Sequence, residues 1–134
     1  MDAIEQLQTK ISPFSGYGDE TARALSDELV RSYLGEALAA LEERLAPGEG
    51  PEHDRIGELI LRVAFTNQLV FRQYEERART GDVGHELAPY DVAIVELADG
   101  ANAIEPANLD DYLSRVRDAL DRRDAAMGGR LGVS

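Results

Sequence analysis

The fold is decided by the most apolar stretch of the chain, residues 56–74, which reads IGELILRVAFTNQLVFRQY. Its apolar side chains recur at three- and four-residue spacing, the pattern of an amphipathic helix. We therefore predict one helix from about Glu52 to Thr80, ended by Gly81. The helix carries two stripes, which are Ile56, Ile60, Val63, Asn67, Val70 and Tyr74, and Leu61, Phe65 and Leu69. Two stripes predict burial on two sides, at the centre of a bundle or against a second copy of the protein.

The same spacing predicts a short N-terminal helix and a first long helix. The short helix ends before Pro13, because the residue preceding a proline is pushed out of the helical region. The long helix runs from about Asp19 to Leu45 and is ended by the prolines and glycines of residues 46–51. Gly35 lies inside it, where glycine costs about 1 kcal/mol relative to alanine. Gly35, together with Ala39 one turn further on, predicts a close approach of another helix. The alternative is that the glycine is incidental.

Residues 89–98 are compatible with either a strand or a helix. They are rich in β-branched residues, but a single strand would have no partner in this chain, and Pro89 suits the first turn of a helix. The last helix is predicted from a potential cap at Asn108 to Met127. We therefore expect an all-α protein, an antiparallel helical bundle of four main helices with a short N-terminal helix. Residues 1–127 would form this single domain, followed by a flexible tail of residues 128–134.

Composition excludes several functional classes. The 134 residues contain 26 carboxylates and 14 cations, a formal net charge of -12, which disfavours binding to nucleic acid or to anionic lipid. The chain has no cysteine, so disulfides and thiolate metal sites are excluded. No uncharged run approaches the roughly 20 apolar residues that a spanning helix needs, and no signal peptide is visible. We predict a cytoplasmic protein whose partners are neither nucleic acid nor membrane.

The residues that commonly carry catalysis are scarce. The two histidines, His53 and His85, have no glutamate three residues before them, the spacing that carboxylate metal sites in helical bundles use. No serine lies in a strand-to-helix turn beside a plausible histidine partner, and there is no cysteine to act as a nucleophile. We predict no metal, no cofactor and no catalytic residue, which disfavours an enzyme without excluding one.

A polar triplet, Thr66-Asn67-Gln68, interrupts the most apolar predicted helix. A buried amide without partners costs about 1–3 kcal/mol, so a neighbouring helix or symmetry mate, a small polar or anionic ligand, or solvent should satisfy it. The candidate ligand-binding or interface residues are Arg62, Thr66, Asn67, Gln68, Arg72 and Tyr74. A structure with Asn67 exposed, or with no cavity beside it, would rule out the ligand pocket.

These observations favour a non-enzymatic protein–protein interaction module, a small acidic adaptor, chaperone-like or assembly component, which forms a homodimer through the predicted central helix. The alternative is a small-molecule-binding bundle or enzyme with a polar pocket around residues 62–74. A third hypothesis is an acidic decoy of a nucleic-acid-binding partner, although the carboxylates are interleaved with arginines. A docking role for the tail, residues 128–134, is a further hypothesis.

Overall fold

The computed structural model describes residues 2–81 and 84–128. Within these ranges the chain is all-α, with six α-helices, three short 3-10 helices and no strand. The α-helices are α1 (Ala3–Lys10), α2 (Glu20–Leu45), α3 (Pro51–Ala64), α4 (Gln68–Thr80), α5 (Ala88–Gly100) and α6 (Leu109–Met127). The all-α prediction and the helical interpretation of residues 89–98 are confirmed. Of the predicted tail, residues 129–134 lie outside the described residues.

Side-chain caps explain where three of the helices begin. Asp2 and Asp19 each accept a hydrogen bond from the backbone N–H three residues on, both at 2.8 Å, and Asn67 does the same for Val70 at 3.2 Å. The prediction that the Asn108 side chain caps the last helix was wrong. The helix α6 does begin after Asn108, but that side chain makes no capping hydrogen bond, and a 3-10 turn over Pro106–Asn108 leads into the helix instead.

The predicted single helix over residues 52–80 was wrong, because it is two helices separated at residues 65–67. Phe65 is extended, with φ -129° and ψ 140°, and Asn67 caps the start of α4. The Thr66 hydroxyl donates to the Asp27 carboxylate of α2 at 2.7 Å. The Asn67 side chain accepts from the Val70 N–H, which in a continuous helix would bond to the Thr66 carbonyl instead. Apolar spacing continues on both sides of this break, and periodicity alone therefore did not reveal it.

The core forms around α2 rather than around residues 52–80. This helix packs against both α3 and α5, and α6 packs against α3, α4 and α5. The α2 side chains Val30, Leu34, Leu38 and Leu41 are all at most 1% exposed. Among the described residues, no helix combines the length and apolarity needed to cross a membrane.

Of the two apolar stripes predicted to be buried, the first is buried in part and the second is not. Ile56, Val63, Val70 and Tyr74 of the first stripe lie in the core, but Ile60 is half-buried and Asn67 is exposed. All members of the second stripe are exposed, namely Leu61, Phe65 and Leu69. Leu61 lies on α3, Phe65 in the break and Leu69 on α4, and no described helix of the same chain covers these side chains.

Gly35 lies in the contact between α2 and α3. A Cβ atom built on Gly35 would lie 3.4 Å from Cγ2 of Val63, at van der Waals distance from α3. Ala39, one turn further along α2, is exposed. The close approach therefore involves Gly35 and not Ala39.

Candidate functional site

Four side chains from four different segments form a buried charge cluster, which we define as Tyr17, Asp27, Asp91 and Arg123. Arg123 of α6 donates from Nε to Oδ1 of Asp91 at 2.5 Å and from Nη1 to Oδ1 of Asp27 at 2.9 Å. The Tyr17 hydroxyl donates to Oδ2 of Asp91 at 2.6 Å. The cluster thereby joins α2, α5, α6 and the loop before α2 through side chains that are 0–5% exposed.

Asp27 extends this cluster toward the end of α3. Its Oδ2 accepts from Nε of Arg31 at 2.9 Å and from the Thr66 hydroxyl at 2.7 Å. Arg31 also donates from Nη1 to the backbone carbonyl of Val63 at 3.0 Å. The segment that links α3 to α4 is therefore held in place by the buried charges.

The pKa values of the two carboxylates of the cluster are shifted in opposite directions. Burial raises the pKa of Asp91 above its ordinary value, and the Arg123 charge and the Tyr17 hydroxyl oppose this only in part. Burial also acts to raise the pKa of Asp27, but the Arg123 charge, the Thr66 hydroxyl and Arg31 outweigh it, so that pKa is lowered. Asp91 is 0% exposed, and a carboxyl with no accessible surface cannot meet a substrate in this structure.

A second buried ion pair ties α4 to α2. Arg23 binds Glu75 in a bidentate arrangement, with Nε–Oε1 and Nη2–Oε2 distances of 2.9 Å, and donates from Nη1 to the Tyr17 carbonyl at 3.1 Å. Tyr74 lies beside this pair, 2% exposed, and its hydroxyl donates to the Gly84 carbonyl at 2.7 Å. Tyr74, predicted as a site residue, is therefore a core side chain whose polar atom is already engaged.

We define the α3–α4 corner as residues 59–74, the segment that contains all six predicted site residues. These sixteen residues include no carboxylate, although the chain has 26, and their only charged side chains are Arg62 and Arg72. Three large apolar side chains of the corner are exposed, Leu61 at 65%, Phe65 at 73% and Leu69 at 61%. Elsewhere in the described chain only Leu25, at 37%, is a comparably large exposed hydrophobic side chain.

The predicted polar residues of the corner divide between contacts and solvent. Arg62 pairs with Asp121 at 2.8 Å and Asp124 at 3.2 Å on α6. Asn67, Gln68 and Arg72 are exposed. An exposed Asn67 that serves as a helix cap argues against a pocket in which its amide is a buried ligand-binding group.

A cavity of about 330 Å³ nevertheless lies beside the corner, between α2, α3 and α6. Arg62, Thr66 and Asn67 contribute to its wall, so the structure brings three of the predicted residues to one cavity. The charged side chains of its wall are Arg31, Arg62, Arg123, Asp27 and Asp124. The cavity therefore reaches the buried charge cluster from the side of the corner.

Sequence reasoning missed Asp27, Asp91 and Arg123, although each occupies an apolar stripe. Asp27 continues the spacing of Val30, Leu34 and Leu38, and Arg123 lies between Leu120 and Met127 on the buried face of α6. A charged residue at a core position of a helical stripe requires a buried partner, and that signal could have identified the cluster.

No family model matches the sequence, and no curated protein or solved structure is significantly similar to it. Across residues 2–81 and 84–128, no group of three or more potential ligands is arranged to hold a metal ion. A functional proposal therefore rests on the corner, the cavity and the buried charge cluster.

Proposed function

We propose that the protein is a non-enzymatic interaction module that forms a homodimer through the α3–α4 corner. The observation that carries this proposal is the exposure of Leu61, Phe65 and Leu69, between 61% and 73%, within one short segment. Exposed apolar side chains gathered in one place mark interaction surfaces, whereas isolated ones are ordinary. The three residues are the second predicted apolar stripe, which the fold of one chain leaves exposed and which a partner would bury.

The electrostatics of the corner support a second copy as the partner. Each copy carries a formal charge of -12, so most approaches between two copies are repulsive. Residues 59–74 lack carboxylates, and the neighbouring Asp121 and Asp124 are paired with Arg62, so contact there brings few unpaired negative charges together. A two-fold dimer also places the same apolar patch against itself, which is self-complementary.

The size of the patch indicates a weak dimer. Stable interfaces bury roughly 800 Å² per partner, and three side chains supply only part of that area. We therefore propose a concentration-dependent dimer in the micromolar range. Such an equilibrium suits an adaptor or assembly component, because the partner surface is exposed in the monomer.

A packed four-helix core would hold the residues of the corner in fixed positions. The helices α2, α3, α6 and α5 contact one another in a closed ring, in that order. We propose that these four form the antiparallel bundle, with α1 and α4 packed on its outside. In this arrangement the corner lies where α3 ends.

Sedimentation equilibrium over a range of micromolar concentrations tests the dimer. The average mass of the unmodified chain should rise with concentration, and the double variant Leu61→Gln, Leu69→Gln should stay monomeric. Leu25→Gln is the matched control, because it removes an exposed leucine from α2 outside the corner. A chain that remains monomeric at high micromolar concentration, or a double variant that associates as strongly as the control, would overturn the proposal.

A further inference from the structure

We infer that two copies of the chain dimerise by exchange, in which the break at residues 65–67 becomes helical and each copy packs its residues from 68 onward against residues 2–64 of the other. The exchange rests on the dimer proposed above and specifies how its two chains are joined. Three features of the molecule support it, which are the position of the break, the bonds that hold the break and the spacing of the exposed stripe.

The break at residues 65–67 divides the described chain into two halves. In the N-terminal half α2 packs against α3, and in the C-terminal half α4 and α5 pack against α6. Between the halves, α5 packs against α1 and α2, and α6 packs against α3. Because the break is the covalent link between the halves, a change in its conformation lets each half pack against the complementary half of a second copy.

The buried ion pairs also join one half to the other. Arg23 of α2 binds Glu75 of α4, and Asp27 of α2 binds Arg123 of α6. A buried charge without its partner is strongly unfavourable, so each half selects the complementary half, whichever chain supplies it. In an exchanged dimer both ion pairs re-form between the two chains.

Side-chain bonds, and no residue type that disrupts helices, hold the break between α3 and α4. Residues 65–67 include neither proline nor glycine. The Thr66 hydroxyl donates to Asp27, and the Asn67 side chain accepts from the Val70 N–H. A continuous helix would replace the cap with backbone hydrogen bonds and would pair the backbone groups that two helix ends leave without partners. The same sequence therefore supports both a broken and a continuous conformation.

The exposed stripe of the corner is continuous only when the break is helical. Leu61, Phe65 and Leu69 are four residues apart, but they lie on α3, in the break and on α4. Four-residue spacing places side chains above one another on one face of a helix. One helix over residues 51–80 would be about 45 Å long and would carry all three on that face. In an exchanged dimer this helix links the two packed units, and the stripe of one copy faces that of the other.

Exchange also supplies the interface area that the stripe lacks. Three side chains provide only part of the roughly 800 Å² per partner that a stable interface buries. In the exchanged dimer the contacts of α5 with α1 and α2 become contacts between chains. The same contacts exist within each monomer, so the equilibrium stays weak. Interconversion requires the halves to separate, and we therefore expect it to be slow.

Cross-linking across the two halves tests the exchange. Arg55 of α3 and Asp110 of α6 form an ion pair outside the corner, with side chains 40% and 80% exposed. The double variant Arg55→Cys, Asp110→Cys is refolded at several concentrations and treated with a short bis-maleimide. Dilute samples should give links within one chain, and concentrated samples should give covalent dimers in the proportion of dimer that sedimentation detects.

The two single variants are the controls for this cross-link. Arg55→Cys alone and Asp110→Cys alone should give no covalent dimer, because each thiol then lies beside an unmodified side chain. Covalent dimers of a single variant in the same yield would contradict the exchange. A sedimenting dimer with links only within single chains would overturn the exchange and leave the dimer of the corner, whereas the absence of any dimer would overturn both.

Gln68→Pro separates an exchanged dimer from a dimer of the broken conformation. Gln68 is exposed and is the first residue of α4, where proline is favoured, and Asn67 before it is extended. Inside a continuous helix the same proline removes a hydrogen bond and clashes with the preceding turn. The variant should fold as the unmodified chain does and dimerise about a hundredfold more weakly. Gln68→Ala should dimerise at least as well as the unmodified chain, and undiminished dimerisation of Gln68→Pro would overturn the exchange.

Discussion

The buried charge cluster and the α3–α4 corner depart from the usual distribution of side chains in opposite directions. The cluster places two carboxylates and a guanidinium inside the core, each bonded to partners from other helices. The corner places Leu61, Phe65 and Leu69 in solvent. Paired charges in the core favour one fold, because any other arrangement would leave a buried charge without its partner. Exposed apolar side chains, in contrast, lower the free energy only when a partner surface removes them from water. We therefore expect the cluster to serve stability, whereas the corner is the surface that we propose for interaction.

The two regions are nevertheless connected. The Thr66 hydroxyl, which lies within the corner, donates to Asp27 of the cluster. Arg31 reaches from the same aspartate to the Val63 carbonyl at the end of α3. The cluster therefore positions the exposed segment, and changes to the two regions should have separable effects on stability and on association.

The largest effect on stability should come from removing the cluster's cation. Arg123→Met leaves Asp27 and Asp91 buried without their shared partner, and breaking a buried pair in this way costs about 3–5 kcal/mol. Urea unfolding followed by circular dichroism measures this loss. The exposed neighbour Arg122→Met should stay within about 0.5 kcal/mol of the unmodified chain. A similar small loss for Arg123→Met would show that the cluster does not hold the fold.

The opposite pKa shifts of the two carboxylates predict opposite pH dependences. The pKa of Asp27 is lowered on folding, so the unfolded state binds more protons and stability falls as the pH falls through the folded-state pKa. The pKa of Asp91 is raised, so its contribution is fully present at low pH and is lost as the pH rises through the folded-state pKa. Urea midpoints between about pH 3 and about pH 7 should therefore decline less on acidification in Asp27→Asn. Asp91→Asn should decline more, and identical slopes in the two variants would contradict the assignment.

A smaller effect should follow from removing the cap between α3 and α4. Asn67→Ala loses the hydrogen bond to the Val70 N–H, which costs about 1 kcal/mol. Amide hydrogen exchange should show reduced protection in the first turn of α4. Gln68→Ala is the control, because Gln68 is exposed and alanine favours the helix. Equal exchange in both variants would mean that the break does not depend on Asn67.

The smallest effect on stability should come from substitutions of the exposed leucines in the corner. Leu61→Gln and Leu69→Gln should each change the unfolding free energy of the monomer by less than about 0.5 kcal/mol, because both side chains are mostly exposed. Leu34→Ala in the core, where the side chain is 1% exposed, should cost about 2–5 kcal/mol. Urea unfolding at low protein concentration compares the three variants. A large loss in the corner variants would mean that these leucines serve the fold of the single chain.

Much of the fold could be predicted because local signals mark it. Pro13 predicted the end of α1, and the prolines and glycines of residues 46–51 predicted the end of α2. The break at residues 65–67 has neither residue type. It is stabilised by the bond from Thr66 to Asp27, 39 residues earlier, and such a contact is invisible to local periodicity.

The candidate site could be predicted only in part for the same reason. The polarity of Arg62, Thr66 and Asn67 within an apolar stretch pointed to the segment that borders the cavity. The same reasoning selected Gln68 and Arg72, which the fold leaves in solvent. Asp27, Arg31 and Arg123 complete the cavity from other helices, and their pairing depends on how α2 and α6 pack.

Disulfide cross-linking at the corner gives the sharpest test of the proposed dimer, because the chain has no cysteine of its own. Gln68→Cys introduces one thiol at an exposed position beside Leu69, and Gln8→Cys introduces one at an exposed position on α1. Under mild oxidation at micromolar concentration, we expect Gln68→Cys to form disulfide-linked dimers and Gln8→Cys to remain monomeric. Equal cross-linking of the two variants, or none in Gln68→Cys, would contradict a dimer through the α3–α4 corner.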